Sequence, residues 1–282
     1  MKRLIIRPGA MGDCVLSLPA MESLRVDYTE VWVTSRNRAL IRFADATDSI
    51  VSTGLDLVGL PEVEPPEALI QRLRSFDSIV SWYGSDRAEF RTAVERLNLP
   101  FQFFRALPDE QAGTHAAEFF LDQVRGFSTC RVEPVPRIEC SRRDEGFAVI
   151  HPFSGSPKKN WPLERYNELA ALLSQRLTVR WCAGPEETLD GAMRFDDLYE
   201  LARWFAHATV YIGNDSGPTH LAAAVGTPVV ALFGPTSPEL WAPRGPSVQV
   251  VAVPGCGPME AIPVDRVADA VNRVLSARSR RR

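Results

Sequence analysis

At 282 residues the chain has room for two domains of ordinary size, each able to bury its own core. Its 45% hydrophobic and 24% charged residues are those of a globular protein and exclude a disordered or fibrous one. A net charge of −3 and a pI near 5.9 give a nucleic-acid partner no electrostatic support. The five cysteines are scattered, odd in number and form no C-x-x-C pair, which points to a reducing cytosol and away from a disulfide framework or structural zinc.

The opening Met1-Lys2-Arg3 mimics a signal peptide, but the apolar run after it ends at Arg7-Pro8, too soon for one. No later stretch reaches the roughly 18 apolar residues of a membrane span, so a cytoplasmic protein is expected. The basic tail at 278–282 could make peripheral contact with an anionic inner membrane, or be a solvated end. Only three of the 32 basic residues are lysines, Lys2, Lys158 and Lys159, so the adjacent pair suggests a use for a compact ammonium.

In chain order, β-branched runs at 3–7, 31–34, 49–53 and 78–82 read as strands, and helical spacing falls at 15–25, 66–76, 87–97 and 114–125. The pattern lapses between 127 and 146, where Pro134 and Pro136 mark a linker. A second series follows, with strands at 147–151, 178–183, 209–213, 229–233 and 249–253. Its helices fall at 163–175, 196–207, 218–225 and 264–277. The alternation predicts an α/β fold of two Rossmann-like, doubly wound domains facing a central cleft, residues 1–140 and 141–282.

The first strand runs into Pro8-Gly-Ala-Met-Gly-Asp13, at the strand end where an open α/β sheet binds ligands. Gly9 and Gly12 do not make G-x-G-x-x-G, the second strand ends without a ribose-gripping acid, and Asp13 would repel a pyrophosphate. Asp13 is therefore either a helix cap or a catalytic carboxylate, and Gly12 would let a second molecule approach the backbone closely.

In the second half, the loop at 152–162 offers Ser154, Gly155, Ser156, Lys158 and Lys159, which could surround an anion or form an ordinary polar loop with Pro162 opening a helix. The strongest segment is Tyr211-Ile-Gly-Asn-Asp-Ser-Gly-Pro-Thr-His220, a strand, a tight turn and a helix N-terminus. Asp215, Ser216, Gly217, Thr219 and His220 there mark an anion site. Glu186 and Glu187 follow another strand and could accept ribose hydroxyls, or be surface acids. Among His115, His151 and His207 no spacing makes a metal site, and no G-x-S-x-G elbow is present.

These residues resemble the ADP-heptose:lipopolysaccharide heptosyltransferases, glycosyltransferase family 9, of GT-B fold. The likeness lies in the opening at 4–20, in Lys159-Asn-Trp-Pro162, and in Asn214-Asp-Ser-Gly-Pro-Thr-His-Leu-Ala-Ala-Ala running on to Gly226-Thr-Pro-Val-Val-Ala-Leu-Phe-Gly-Pro-Thr236. The resemblance implies inverting sugar transfer from a nucleotide donor, with no metal and no cofactor. Asp13 would be the general base and Lys159 would neutralise the leaving diphosphate. Gly12, Ser154, Gly155, Ser156, Glu186, Glu187, Asp215, Ser216, Gly217, Thr219 and His220 would surround the nucleotide sugar. Arg87 and Arg91, one helical turn apart, are candidates for acceptor phosphates, or an exposed helix face. The implied partners are an ADP-heptose donor and a lipopolysaccharide-core glycolipid. The segment between Glu187 and Asp196 is shorter than the family's, which leaves the donor base open. A nucleotide-sugar-binding module without transfer, and a sugar-nucleotide hydrolase or epimerase, are the alternatives.

Overall fold

A computed structural model describes residues 1–110 and 113–279, and the side chains as far as 277. The tail at 278–282, on which the expected membrane contact fell, thus lies outside the described side chains. The chain divides into one unit of residues 1–112 and 116–134 and a second of residues 113–115 and 135–282. The expected boundary at 140/141 thus falls six residues late.

The first unit is built from β1 (Lys2–Ile6), α1 (Met11–Ser23), β2 (Tyr28–Val33), β3 (Ala46–Ser49) and α2 (Ile50–Thr53). It continues with α3 (Glu67–Arg74), β4 (Ser78–Ser81), α4 (Ala88–Arg96), β5 (Phe101–Phe103) and α5 (Ala116–Gln123). The strands are parallel in the order β3-β2-β1-β4-β5, so the winding reverses between β1 and β4. Ile6 pairs with Trp32 on one side and Ser81 on the other, which sets the loops after β1 and β4 side by side at the carboxyl edge. Leu4, Ile6, Trp32, Ile79 and Phe90 lie in the core on this sheet.

Three expectations shift here. The strand expected at 49–53 ends at Ser49, and Ile50–Thr53 turn helically into Gly54, whose left-handed φ of 74° closes the turn. Helix α1 begins at Met11, not at 15, because Asp13 supports its first turn. The brief β5 was not expected; its pairing with β4 supplies what three residues of pattern cannot.

The second unit comprises β6 (Phe147–His151), α6 (Leu163–Leu173), β7 (Thr178–Trp181), α7 (Leu198–Ala206), β8 (Val210–Asn214) and α8 (Gly217–Ala224). After these come β9 (Val229–Phe233), α9 (Pro238–Trp241), β10 (Val248–Ala252) and α10 (Val264–Ser279). Its order is β10-β9-β8-β6-β7, again parallel, with the reversal between β6 and β8. Strands β6, β8 and β9 are buried along their whole length, as β-branched runs covered on both faces should be. Helix α7 starts on Asp197, whose Oδ1 accepts the N–H groups of Tyr199 at 2.6 Å and Glu200 at 3.1 Å. Among the described residues no helix is long and apolar enough to cross a membrane.

Candidate functional site

In the second unit the winding reverses between the ends of β6 and β8, the place where open sheets of this kind hold ligands. One buried amide organises it. Asn214, fully buried at the end of β8, accepts the Trp161 N–H at 3.1 Å and the Tyr166 hydroxyl at 2.8 Å, and donates to the Pro152 carbonyl at 2.8 Å. Trp161 is anchored further by its indole N–H on the Ile262 carbonyl at 2.9 Å. The loop from 152 to 162 is thereby tied to β8 at both ends, and Lys159 projects from a tight 3-10 turn, Pro157–Lys159, within it. In the sequence Asn214 is only one letter of a motif, because the partners of its brace lie about fifty residues away.

Lys159 Nζ sits 3.1 Å from Asp215 Oδ2, and the Thr236 hydroxyl donates to that same oxygen at 2.9 Å. His220 Nε2 stands 3.7 Å from Oδ1, longer than an ordinary hydrogen bond. Burial alone would raise the Asp215 carboxyl, but His220 and Lys159 outweigh it and hold it below its ordinary range. Asp215 is thus an internal anion that aims Lys159, which keeps two further N–H donors for a ligand.

Helix α8 starts behind this cluster. Pro218 has no N–H, and the N–H groups of Thr219 and His220 turn back onto the Ser216 carbonyl at 3.1 and 3.3 Å. The Gly217 N–H is left at the positive end of the helix, with no partner among the described residues. Thr219 is not presented to a ligand: it is fully buried, and its hydroxyl donates to the Asn214 carbonyl at 2.5 Å. The Ser216 hydroxyl lies 3.2 Å from that of Thr219. Gly213 is required because a Cβ there would meet the Tyr211 hydroxyl at 2.8 Å.

The Ser154 hydroxyl folds its own loop, donating within reach of the Ser156 carbonyl at 2.8 Å and Asn160 Oδ1 at 2.7 Å. Gly155 is exposed, with open space where a Cβ would stand, so a ligand can come close to its backbone. Ser156 is half-buried beside it.

Glu187 and Glu186 separate. Glu187 Oε2 accepts the Gly184 N–H at 2.6 Å and lies 3.3 Å from His151 Nε2, while Oε1 has no hydrogen-bond partner among the described residues. Burial would raise its carboxyl, but the hydrogen bonds from His151 and Gly184 prevail and hold it low. Glu186 is exposed and makes no hydrogen bond or ion pair among the described residues. The short segment after them is a fixed turn: Arg194 donates to the carbonyls of Glu187 at 2.7 Å, Leu189 at 3.1 Å and Ala192 at 3.2 Å. Met193 then bridges to Cys182 beside β7.

In the first unit Asp13 occupies the third helical position of α1. Its Oδ2 accepts the Ala10 N–H at 3.0 Å, half of a capping box, since alanine cannot return the bond. Oδ1 has no hydrogen-bond partner among the described residues, and the side chain is half-buried. Gly12 lies in the helical first turn, and Gly9 is the glycine with the special conformation. Its φ is 112°, and a Cβ would stand 3.0 Å from Asp13 Oδ2.

Arg87 and Arg91 follow β4 at the same carboxyl edge of this sheet. Arg87, just before α4, donates to the Tyr83 hydroxyl at 2.5 Å and lies over the Tyr83 and Phe90 rings. Arg91 is exposed over Phe103. Among the described residues no group of three or more His, Cys, Asp or Glu could hold a metal; His151 and His207 face Glu187 and Glu145 instead.

Two parallel α/β units, the second with a lysine and a helix N-terminus at its reversal point, have the architecture of GT-B glycosyltransferases. The fold matches that of "the glycosyl transferase family 9 from Veillonella parvula" at TM-score 0.76 and 17% identity, over 98% of this chain and 97% of that one. It matches Escherichia coli ADP-heptose lps heptosyltransferase II at TM-score 0.73 and 18% identity, over 99% and 100%. The family model for glycosyltransferase family 9 (heptosyltransferase) matches residues 89–261, more than half of the chain. The chain belongs to that family.

Lipopolysaccharide heptosyltransferase 3 of E. coli K12 is 34% identical over 117 residues, 34% of this chain and 33% of the relative. Lipopolysaccharide core heptosyltransferase OpsX of Haemophilus influenzae is 25% identical over 166 residues, 49% and 48%. The matched segments thus span a third to a half of these relatives' length.

Proposed function

We propose that the protein is an inverting glycosyltransferase that moves heptose from ADP-heptose to a lipopolysaccharide-core-like glycolipid, without a metal or cofactor. The single observation that carries this reading is Lys159, aimed by Asp215 beside the N-terminus of α8. A cation, a helix dipole and a free N–H are what a departing diphosphate needs, and they stabilise charge that grows as the bond breaks. The E. coli heptosyltransferase WaaC, of similar fold, has been solved with ADP and with ADP-2-deoxy-2-fluoro heptose, which supports the same donor class here.

The second unit holds the donor. Gly155, Ser156 and Gly217 approach its phosphates, and the free Oε1 of Glu187 accepts its ribose hydroxyls. Glu186 is left to solvent. The first unit serves the acceptor: Asp13 Oδ1 takes the proton of the attacking hydroxyl as its oxygen bonds to C1 of the sugar, and the C1–diphosphate bond breaks on the opposite face, inverting the centre. Arg87, already beside Tyr83, and the exposed Arg91 suit acceptor phosphates. A glycolipid acceptor would bring the protein to the cytoplasmic face of the inner membrane as a peripheral visitor.

A thermal-shift panel of ADP, UDP and GDP with their sugar conjugates tests the donor, because a ligand that binds only the native state raises its melting point. ADP and ADP-heptose should give the largest shifts. A stronger response to UDP or GDP overturns the adenine assignment. Turnover then separates the alternatives: donor consumed only with acceptor supports transfer, donor consumed alone marks a hydrolase or epimerase, and binding without turnover marks a binding module.

A further inference from the structure

The carboxyl end of β1 buries a full positive charge. Arg7 is 1% exposed, and its guanidinium lies over the Phe120 ring at 4.5 Å and the Trp82 ring at 5.9 Å. No carboxylate of the described residues comes within ion-pair distance of it. A charge so placed is costly, and burial pulls the guanidinium below its ordinary basicity. The carboxylate whose field opposes that pull is Asp13. Cys14, the other ionisable neighbour, stays a neutral thiol, pushed by burial up to about 12. A methionine would fill the same space over Phe120 without the desolvation, so packing alone does not account for an arginine here.

The polar atoms of Arg7 run along the first turn of α1. Nε donates to Ser17 Oγ at 3.0 Å, and that hydroxyl donates to the Asp13 carbonyl at 2.8 Å. Nη2 reaches the same carbonyl at 3.5 Å. From the other side, the Ala10 N–H holds Asp13 Oδ2, with Gly9 leaving room for it. Backbone and side chain of residue 13 are thus each gripped, and one oxygen remains open.

We infer that Arg7 is a positioning residue for Asp13: through Ser17 and its own buried charge it fixes the turn that carries the carboxylate, without touching either substrate. This rests on the reading of Asp13 as the general base.

The test compares Arg7→Met, Arg7→Lys and Ser17→Ala with the parent and with Asp13→Asn. Transfer is expressed per donor-binding site, titrated with ADP, so that misfolded protein does not count. Arg7→Met should lower kcat about tenfold or more, as small misplacements of a reacting group do. Donor KM should stay within about twofold, because the donor loops belong to the other unit. Arg7→Lys should recover most of the loss, and Ser17→Ala, which keeps the core volume, should lower kcat about threefold. Arg7→Met at parental kcat per site, or Arg7→Lys no better than Arg7→Met, overturns the proposal while an inactive Asp13→Asn leaves the base reading intact. Should Arg7→Met fail to fold, Ser17→Ala and Arg7→Lys decide: parental kcat in Ser17→Ala, or a kcat in Arg7→Lys as low as that of Asp13→Asn, overturns it. Near-normal turnover in Asp13→Asn overturns the base reading itself and the positioning role with it.

Discussion

Asp13 and Asp215 each follow a strand at the reversal point of a parallel sheet, yet the two carboxylates have opposite surroundings. Asp215 is buried against Lys159, Thr236 and His220, and its carboxyl is held low. Asp13 is half-buried, spends one oxygen on the Ala10 N–H and keeps the other free. An acid enclosed by a lysine and hydrogen-bond donors organises a site, whereas one with an open oxygen can exchange a proton. The same residue type at equivalent strand ends therefore does different work, and the groups that touch each carboxylate decide which.

Removing the open acid should have the largest effect. Asp13→Asn is expected to lower turnover by about 10²–10⁴-fold, the range general-base catalysis supplies, read as ADP release that requires acceptor. Removing the cation that the enclosed acid aims comes next. Lys159→Ala should lower kcat/KM about 10²–10³-fold by initial-rate kinetics, and a loss confined to donor KM would make Lys159 a mere binding contact.

The brace beneath the cation should be felt in stability. Asn214→Leu strands the Trp161 N–H, the Tyr166 hydroxyl and the Pro152 carbonyl in the core, and should cost about 3 kcal/mol in a denaturant titration. A cost near zero would mean that water replaces the amide. The enclosed acid also predicts a pH dependence. Because the folded-state pKa of Asp215 is lowered from 3.8, its stabilisation is present above that value and lost as pH falls through the lower folded value. Asp215→Asn should therefore flatten the acid limb of stability against pH, most visibly below about pH 4. The smallest effect belongs to the exposed member of the glutamate pair. Glu186→Gln should leave donor KM within about twofold, while Glu187→Gln raises it severalfold. Equal effects would return the ribose contact to an open question between them.

Much of this was legible in local pattern. The parallel sheets followed from alternating runs, and the positions of Asp13, Lys159, Asp215 and Gly217 at strand ends and helix starts followed from motif and turn chemistry. What escaped reading was set by distant contacts. Thr219 looked like a ligand beside a helix N-terminus, but its hydroxyl is drawn inward by the Asn214 carbonyl. Glu186 and Glu187 are adjacent letters, and only the approach of His151 and the Gly184 turn separates them. Gly9, not Gly12, has the backbone conformation that favours glycine, at a φ of 112° with Asp13 folded back over it. Arg7 gave no signal of its burial: it closes the strand expected at 3–7, and what covers it is Phe120, brought over the loop by α5.

The division of labour between the two acids is tested most directly by titrating ADP calorimetrically into the parent, Asp13→Asn and Lys159→Ala. Asp13→Asn should bind with parental affinity, and Lys159→Ala about tenfold or more weakly, as expected when a charge-assisted contact is lost. If Asp13→Asn weakened ADP binding as much as Lys159→Ala does, the open acid would belong to the nucleotide site and its assignment as the base would fail.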